Sequence, residues 1–204
     1  MNWIKKIYDW VLSWAQTKYG AVALFILAFS ESVFFPIPPD ILLIALALGS
    51  STKVFRFALI CTIGSVSGAF IGYGIGHFAW IAPGGEFSEF ANFFFVNIPG
   101  FSVGLFNSIK ILFIEWDFWV IFTAGFTPIP YKVFTVSAGV FDINLTMFFI
   151  ASIISRGARF FLIAYLIWKF GSSIKKFIDK YFNLLAVGFT VLLIGGFVLI
   201  KYLF

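Results

Sequence analysis

Two stretches, "FFPIPPDIL" at Phe34–Leu42 and "FTPIPYKVF" at Phe126–Phe134, set prolines in the middle of long apolar runs. Proline removes a backbone donor and disfavours helix in the residue before it. The run Ala21–Leu48 is therefore too broken to be one ordinary helix. Its two halves, of about 13 residues each, reach only about 20 Å, whereas the hydrocarbon core of a bilayer is ~30 Å thick. Broken backbone at membrane depth persists only where protein or water satisfies it. The economical solution is a re-entrant hairpin that dips in and returns to the same side. Val120–Val140 reads the same way. The hairpin breaks are then Pro36, Pro38 and Pro39 in the first segment and Pro128 and Pro130 in the second.

Composition supplies the membrane. The chain is 61% hydrophobic and only 11% charged, where a soluble domain is about a quarter charged. Its mean hydropathy is +1.03. Phe57–Ala82, Leu145–Phe170 and Leu184–Phe204 each reach the roughly 20 apolar residues that a spanning helix needs. An all-α polytopic membrane protein follows. The opening "MNWIKKIYDWVLSWAQTKYG" lacks the continuous apolar core and cleavage site of a secretory signal. Trp3, Ile4, Ile7, Tyr8, Val11 and Trp14 fall largely on one helical face, so residues 1–19 read as an amphipathic interfacial helix. Packing of that helix on its own protein is the alternative.

Other chemistries find little support. The one cysteine, Cys61, allows no intrachain disulfide and reads as a small packing residue. One Cys and one His cannot build a structural zinc site, and Glu86 and Glu89 read as a solvated outer loop, so neither metal nor cofactor is expected. "GSVSG" at Gly64–Gly68 departs from Gly-x-Ser-x-Gly, and His77 lies two to three turns further along the same helix, which argues against an intramembrane hydrolase. There is no phosphate loop for ATP hydrolysis. The net charge of +5 flanks the spans and forms no soluble nucleic-acid patch.

The two proline motifs lie in register. At the spacing of Pro36 from Pro128, Phe34, Ile37 and Pro38 meet Phe126, Ile129 and Pro130, while Asp40 meets Lys132. Segment order repeats as well: an amphipathic stretch, a broken apolar segment and a long apolar helix. Repeat 1 covers about residues 1–82 and repeat 2 about 93–170, with "ANFFFVNIPGFSVGLFNSIKILF" as the outer amphipathic stretch of the second. If each broken segment returns to its own side, Lys5, Lys6, Lys18, Lys53 and Arg56 share one face with Lys169, Lys175, Lys176 and Lys180. Glu86, Glu89, Glu115, Asp117 and Asp142 then share the other, with Lys110. This is the positive-inside arrangement, with a cytoplasmic N-terminus and opposite orientation of the two halves. Inverted repeats with broken helices belong to transporters whose site lies near the midplane. A basic loop and a last spanning helix complete the chain at 171–204.

The segments "ESVFFPIPPD", "GFTPIPYKVFTVSAG" and "SRGARFF" occur in an order that resembles the DedA family, the superfamily carrying the VTT (SNARE-associated Golgi) domain, and most of all its YqaA-type branch. The resemblance covers about residues 20–170. It implies two facing re-entrant hairpins, a bacterial inner-membrane setting and movement of phospholipid or polyprenyl phosphate across the membrane. Eukaryotic relatives scramble lipids, and some bacterial members are linked to the proton motive force. The family's functionally important acids match Glu31 and Asp40. Where many members carry arginines around the second hairpin's prolines, this chain has Gly125 and, loosely, Tyr131 and Lys132, which leaves Arg156 and Arg159 to supply the positive charge.

Glu31, Asp40, Lys132, Arg156 and Arg159 are the ionisable residues inside apolar segments. Each costs at least about 2.5–3.5 kcal/mol to place there, so such groups face a bundle interior or a water-filled cavity. Arg156 and Arg159 share one helical face and together suit a bidentate phosphate. The set could receive an anionic or zwitterionic headgroup, or it could pair internally, Glu31 with one arginine and Asp40 with Lys132, and pin the hairpins together. Lys132 could instead snorkel to the interface. Gly64, Gly68, Gly72 and Gly76 recur every fourth residue, a stripe that admits a close backbone from a hairpin of the same chain or from a second subunit of a homo-oligomer. The leading functional expectation is a lipid transporter, flippase or scramblase. A proton- or ion-coupled secondary transporter, titrating at Glu31 or Asp40, and a non-transporting membrane scaffold are the alternatives.

Overall fold

The computed structural model describes residues 10, 13–15, 17–33, 38–97, 102–127, 131–171 and 173. Pro36, Pro128 and Pro130, most of the expected interfacial helix 1–19 and the expected last spanning helix lie outside the described residues.

The described chain is helical, its only extended pairing being the bridge between Ile81 and Phe87. Helix α1 (Gly20–Glu31) ends ahead of the first proline cluster, and α2 (Asp40–Gly49) begins directly after Pro39, where the missing N–H costs nothing. A short 3₁₀ turn, Ser51–Lys53, leads into α3 (Val54–Trp80), which at 27 residues is about 40 Å long. The turn after α3 is made by Gly84 and Gly85, whose φ angles of 119° and 85° require glycine. Ser88 then accepts the Ala91 N–H to start α4 (Glu89–Asn97). Ser102 caps α5 (Val103–Glu115) in the same way. Next come α6 (Asp117–Phe126) and α7 (Tyr131–Val140) on either side of the second proline pair. Asn144 caps α8 (Leu145–Phe170), the second long helix.

Some boundaries differ from those read in the sequence. The first long helix runs Val54–Trp80 where Phe57–Ala82 was expected, because the 3₁₀ turn feeds it early and extended Ile81 ends it. The outer amphipathic stretch is two helices, α4 and α5, with Pro99 and Gly100 falling in the interval between them. The second broken segment starts at Asp117, earlier than Val120.

Helix α3 is the spine, and α1, α7 and α8 all pack along it. Two apolar clusters divide its length. One joins α1, α2 and the first half of α3 to the second half of α8, through Leu24, Ala28, Leu43, Ala58, Cys61, Phe160 and Ala164. The other joins the second half of α3 to α4–α7 and the first half of α8, through Tyr73, Trp80, Phe106, Ile121, Tyr131, Ala138 and Phe148. The long helices are therefore antiparallel, and each broken segment belongs chiefly to one cluster.

The glycine stripe makes this closeness possible, and it is used within the chain. A Cβ at Gly64 would lie 2.6 Å from the Phe25 carbonyl oxygen on α1, and one at Gly68 would lie 2.3 Å from that of Phe29. Gly72 sits between Ser32 and Thr135, and Gly76 lies against Val136 of α7. One stripe thus seats both broken segments on one helix.

Among the described residues, α3 and α8 are the helices long and apolar enough to cross a membrane. Their outward faces carry Leu59, Ile63, Phe70, Phe78, Phe149, Ile153, Phe161 and Trp168, all exposed. The most apolar stretch is 56% buried in α3 and 39% buried in α8.

Candidate functional site

Between the two apolar clusters lies a polar layer. Its buried members are Ser32, Thr62, Ser65, Thr135, Ser152, Ser155 and Arg156. It sits near the middle of both long helices, about 17 Å along α8 at the ~1.5 Å rise per residue. The breaks deliver the remaining charges to it. Glu31 is the last residue of α1, and Asp40 is the first of α2.

Each acid takes one arginine. Nη2 of Arg156 donates to Oε2 of Glu31 at 2.5 Å. Arg159 grips Asp40 with two parallel bonds, Nε to Oδ1 at 3.0 Å and Nη2 to Oδ2 at 2.8 Å. This is the fork geometry that a guanidinium offers a carboxylate. These four charges sum to zero, and pairing is what permits charge so far from solvent. Arg156 and Arg159 share one face of α8, as their spacing requires, but each serves a different acid. The pairing of Glu31 with an arginine is present, but Asp40 takes Arg159 where Lys132 was expected, because the guanidinium on α8 reaches it with two parallel bonds.

Hydroxyls extend the layer. Nε of Arg156 donates to Ser65 Oγ at 2.7 Å, and Ser65 and Ser32 are joined at 2.8 Å. Ser32 also donates to the Ala28 carbonyl, so Ser65 is the donor to Ser32. The Arg156 guanidinium lies 4.8 Å from the ring centroids of both Tyr131 and Phe160. Tyr131 in turn donates to Ser152 at 2.6 Å. Thr135 on α7 bonds the Ser32 carbonyl, left over at the end of α1. Arg159 reaches the Phe126 carbonyl at the end of α6 at 3.4 Å. Both breaks are thus tied to α8 and to each other through polar atoms.

Lys132 is half-buried in the first turn of α7, and its carbonyl shares the single Thr135 hydroxyl proton with the Ser32 carbonyl. Pro38 is exposed and Pro39 is buried beside the layer. His77 sits apart, with Nδ1 3.1 Å from Asp142 Oδ1 in the turn after α7. The sequence reading missed Ser32, Thr135 and Ser152, named Tyr131 only as a loose match to a family arginine, and met Ser65 only inside "GSVSG". The available signal was a small polar residue on the glycine face of α3 and another directly after Glu31, both suited to bonds between helices.

No family model and no solved structure matches the chain. Two proteins do. A Haemophilus influenzae protein described as "Uncharacterized protein" is 35% identical over 179 residues, which is 85% of this chain and 87% of that one. A Histophilus somni protein described as "Uncharacterized protein HI0703 homolog" is 33% identical over 193 residues, 93% of each chain. At this identity and coverage, the chain belongs to the protein family that contains these two relatives.

Proposed function

We propose that this protein is an integral membrane transporter of lipids, of the DedA (VTT) type. In this reading it moves phospholipid or polyprenyl-phosphate headgroups along a polar path between two re-entrant hairpins, by flipping or scrambling. The observation that carries the reading is the charge layer. Two acids and two arginines are gathered at the two chain breaks, level with the middle of two membrane-length helices. A purely structural membrane bundle gains little from four charges at that depth, since apolar residues of similar volume hold helices as well or better.

Further observations support it. Gly20 at the start of α1 lies against Leu46 near the end of α2, the contact a hairpin makes when it returns to the side it entered. Gly125 packs on Ser155, and Tyr131 lies under Arg156, so α8 would bring positive charge to the positions where DedA-type proteins carry arginine. The basic residues flanking α1 and α2 support a cytoplasmic N-terminus, and the DedA resemblance implies a bacterial inner membrane.

The test is lipid movement by purified protein in liposomes, read with fluorescent lipids of varied headgroup. Scrambling without a gradient is the expected result. A strict need for a proton gradient would move the protein to the coupled transporters. No movement under either condition would leave a scaffold.

A further inference from the structure

The two ion pairs of the layer are not equivalent. Glu31 ends α1, where the helix dipole disfavours an acid, so its charge depends on Arg156. Asp40 opens α2, where unpaired backbone N–H groups and the dipole stabilise a carboxylate without any cation. The cations differ in the same sense. Arg156 is 2% exposed, spends Nε on Ser65 and Nη2 on Glu31, and lies over two aromatic rings. Arg159 is 13% exposed and Asp40 16%. Apart from Asp40, the described partner of Arg159 is the Phe126 carbonyl at 3.4 Å, and no ring covers its guanidinium among the described residues.

We propose that Arg159 is the landing site for a phosphate-type oxyanion, which displaces Asp40 from the guanidinium fork while Arg156 stays paired as a fixed strut. The proposal rests on the transport reading above and specifies where its substrate is held. A phosphate presents two oxygens to the fork as a carboxylate does. The exchange leaves Asp40 at the N-terminus of α2, where its charge is still compensated. The same exchange at Arg156 would break the Ser65 bond and strand Glu31 at a helix C-terminus in a buried site. The oxyanion can be a lipid headgroup phosphate or free phosphate; both offer Arg159 the same chemistry.

The experiment is equilibrium binding of dioctanoyl phosphatidylglycerol to purified full-length protein in detergent, with inorganic phosphate as competitor and melting temperature recorded in parallel. Arg159→Gln should weaken lipid binding about tenfold, the loss of one charge-assisted pair, and should melt near the wild type. Asp40→Asn should tighten binding, because the internal competitor is gone. Unchanged affinity in Arg159→Gln, or weaker binding in Asp40→Asn, would overturn the proposal. Arg156→Gln should lose melting temperature; if it does not fold, the Arg159 and Asp40 variants still decide. Displacement by inorganic phosphate assigns the site to the free anion, and resistance assigns it to the headgroup; both keep the site on Arg159. Binding through Arg159 by a protein that moves no lipid in liposomes would overturn the transport reading alone. Lipid transport with wild-type affinity in Arg159→Gln would overturn the Arg159 site alone.

Discussion

Thr135 Oγ1 lies 3.0 Å from the carbonyl oxygen of Ser32, joining residues 103 positions apart. This bond links the second broken segment to the first at the height of the charge layer. Gly72 sits beneath it, with a would-be Cβ 2.5 Å from the same Thr135 oxygen, so the two segments can meet only because α3 has no side chain there. Thr135→Val keeps the volume and removes the donor. Leaving a buried carbonyl unsatisfied costs about 1–3 kcal/mol, so a lower melting temperature in detergent is expected. A variant that melts with the wild type would show that the Ser32–Thr135 link carries no stability.

The glycine stripe gives a paired prediction. A Cβ at Gly76 would lie 2.0 Å from the Val136 carbonyl oxygen, and one at Gly139 would lie 1.9 Å from that of Tyr73. Both contacts are backbone, so relief requires α3 and α7 to move apart. Overpacking of this kind costs about 1–3 kcal/mol, sometimes more. Gly74, on the same helix, has nothing within 4 Å of its would-be Cβ. Gly74→Ala should therefore stabilise by up to about 1 kcal/mol through helix propensity. Gly76→Ala and Gly139→Ala should melt lower, and equal melting of all three variants would exclude tight α3–α7 packing.

The broken apolar segments were legible because proline acts locally and hydropathy needs no partner. The five charges inside apolar segments were legible because a charge is costly among apolar residues. Which acid meets which arginine was not, because Glu31 and Arg156 lie 125 positions apart and nothing local encodes their approach. The glycine stripe announced a close neighbour without naming it, and α3 uses it for two. Ser32 and Thr135 were missed because a lone hydroxyl in an apolar helix satisfies itself on its own backbone as readily as on another helix.

Topology follows from where the bases lie. If α1 and α2 form a re-entrant hairpin, Lys18 and Lys53 lie on the cytoplasmic side together. Single cysteines at these positions, in a Cys61→Ser background, should both be shielded from an impermeant thiol reagent in intact cells. Labelling of one and not the other would mean a full crossing between them and would remove the inverted-repeat arrangement.

The charge pairs separate a strut from a binding group. Glu31→Gln strands Arg156, which is 2% exposed, and removing one partner of a buried pair costs about 3–5 kcal/mol. Exchanging the two residues, Glu31→Arg with Arg156→Glu, puts a cation at the C-terminus of α1, where the dipole favours it. That swap should recover melting temperature and, if Arg156 is a strut, lipid movement with it. The corresponding swap of Asp40→Arg with Arg159→Glu places a cation at the N-terminus of α2, where the dipole disfavours it, and a carboxylate where the headgroup is held. Protein should be recovered without transport. Arg159→Lys should fail in transport as well, since an ammonium keeps the charge and loses the two-pronged grip. Full transport by the second swap would make Arg159 a structural partner of Asp40 and nothing more. Failure of the first swap in transport, with melting restored, would show that Arg156 also contacts the moving lipid.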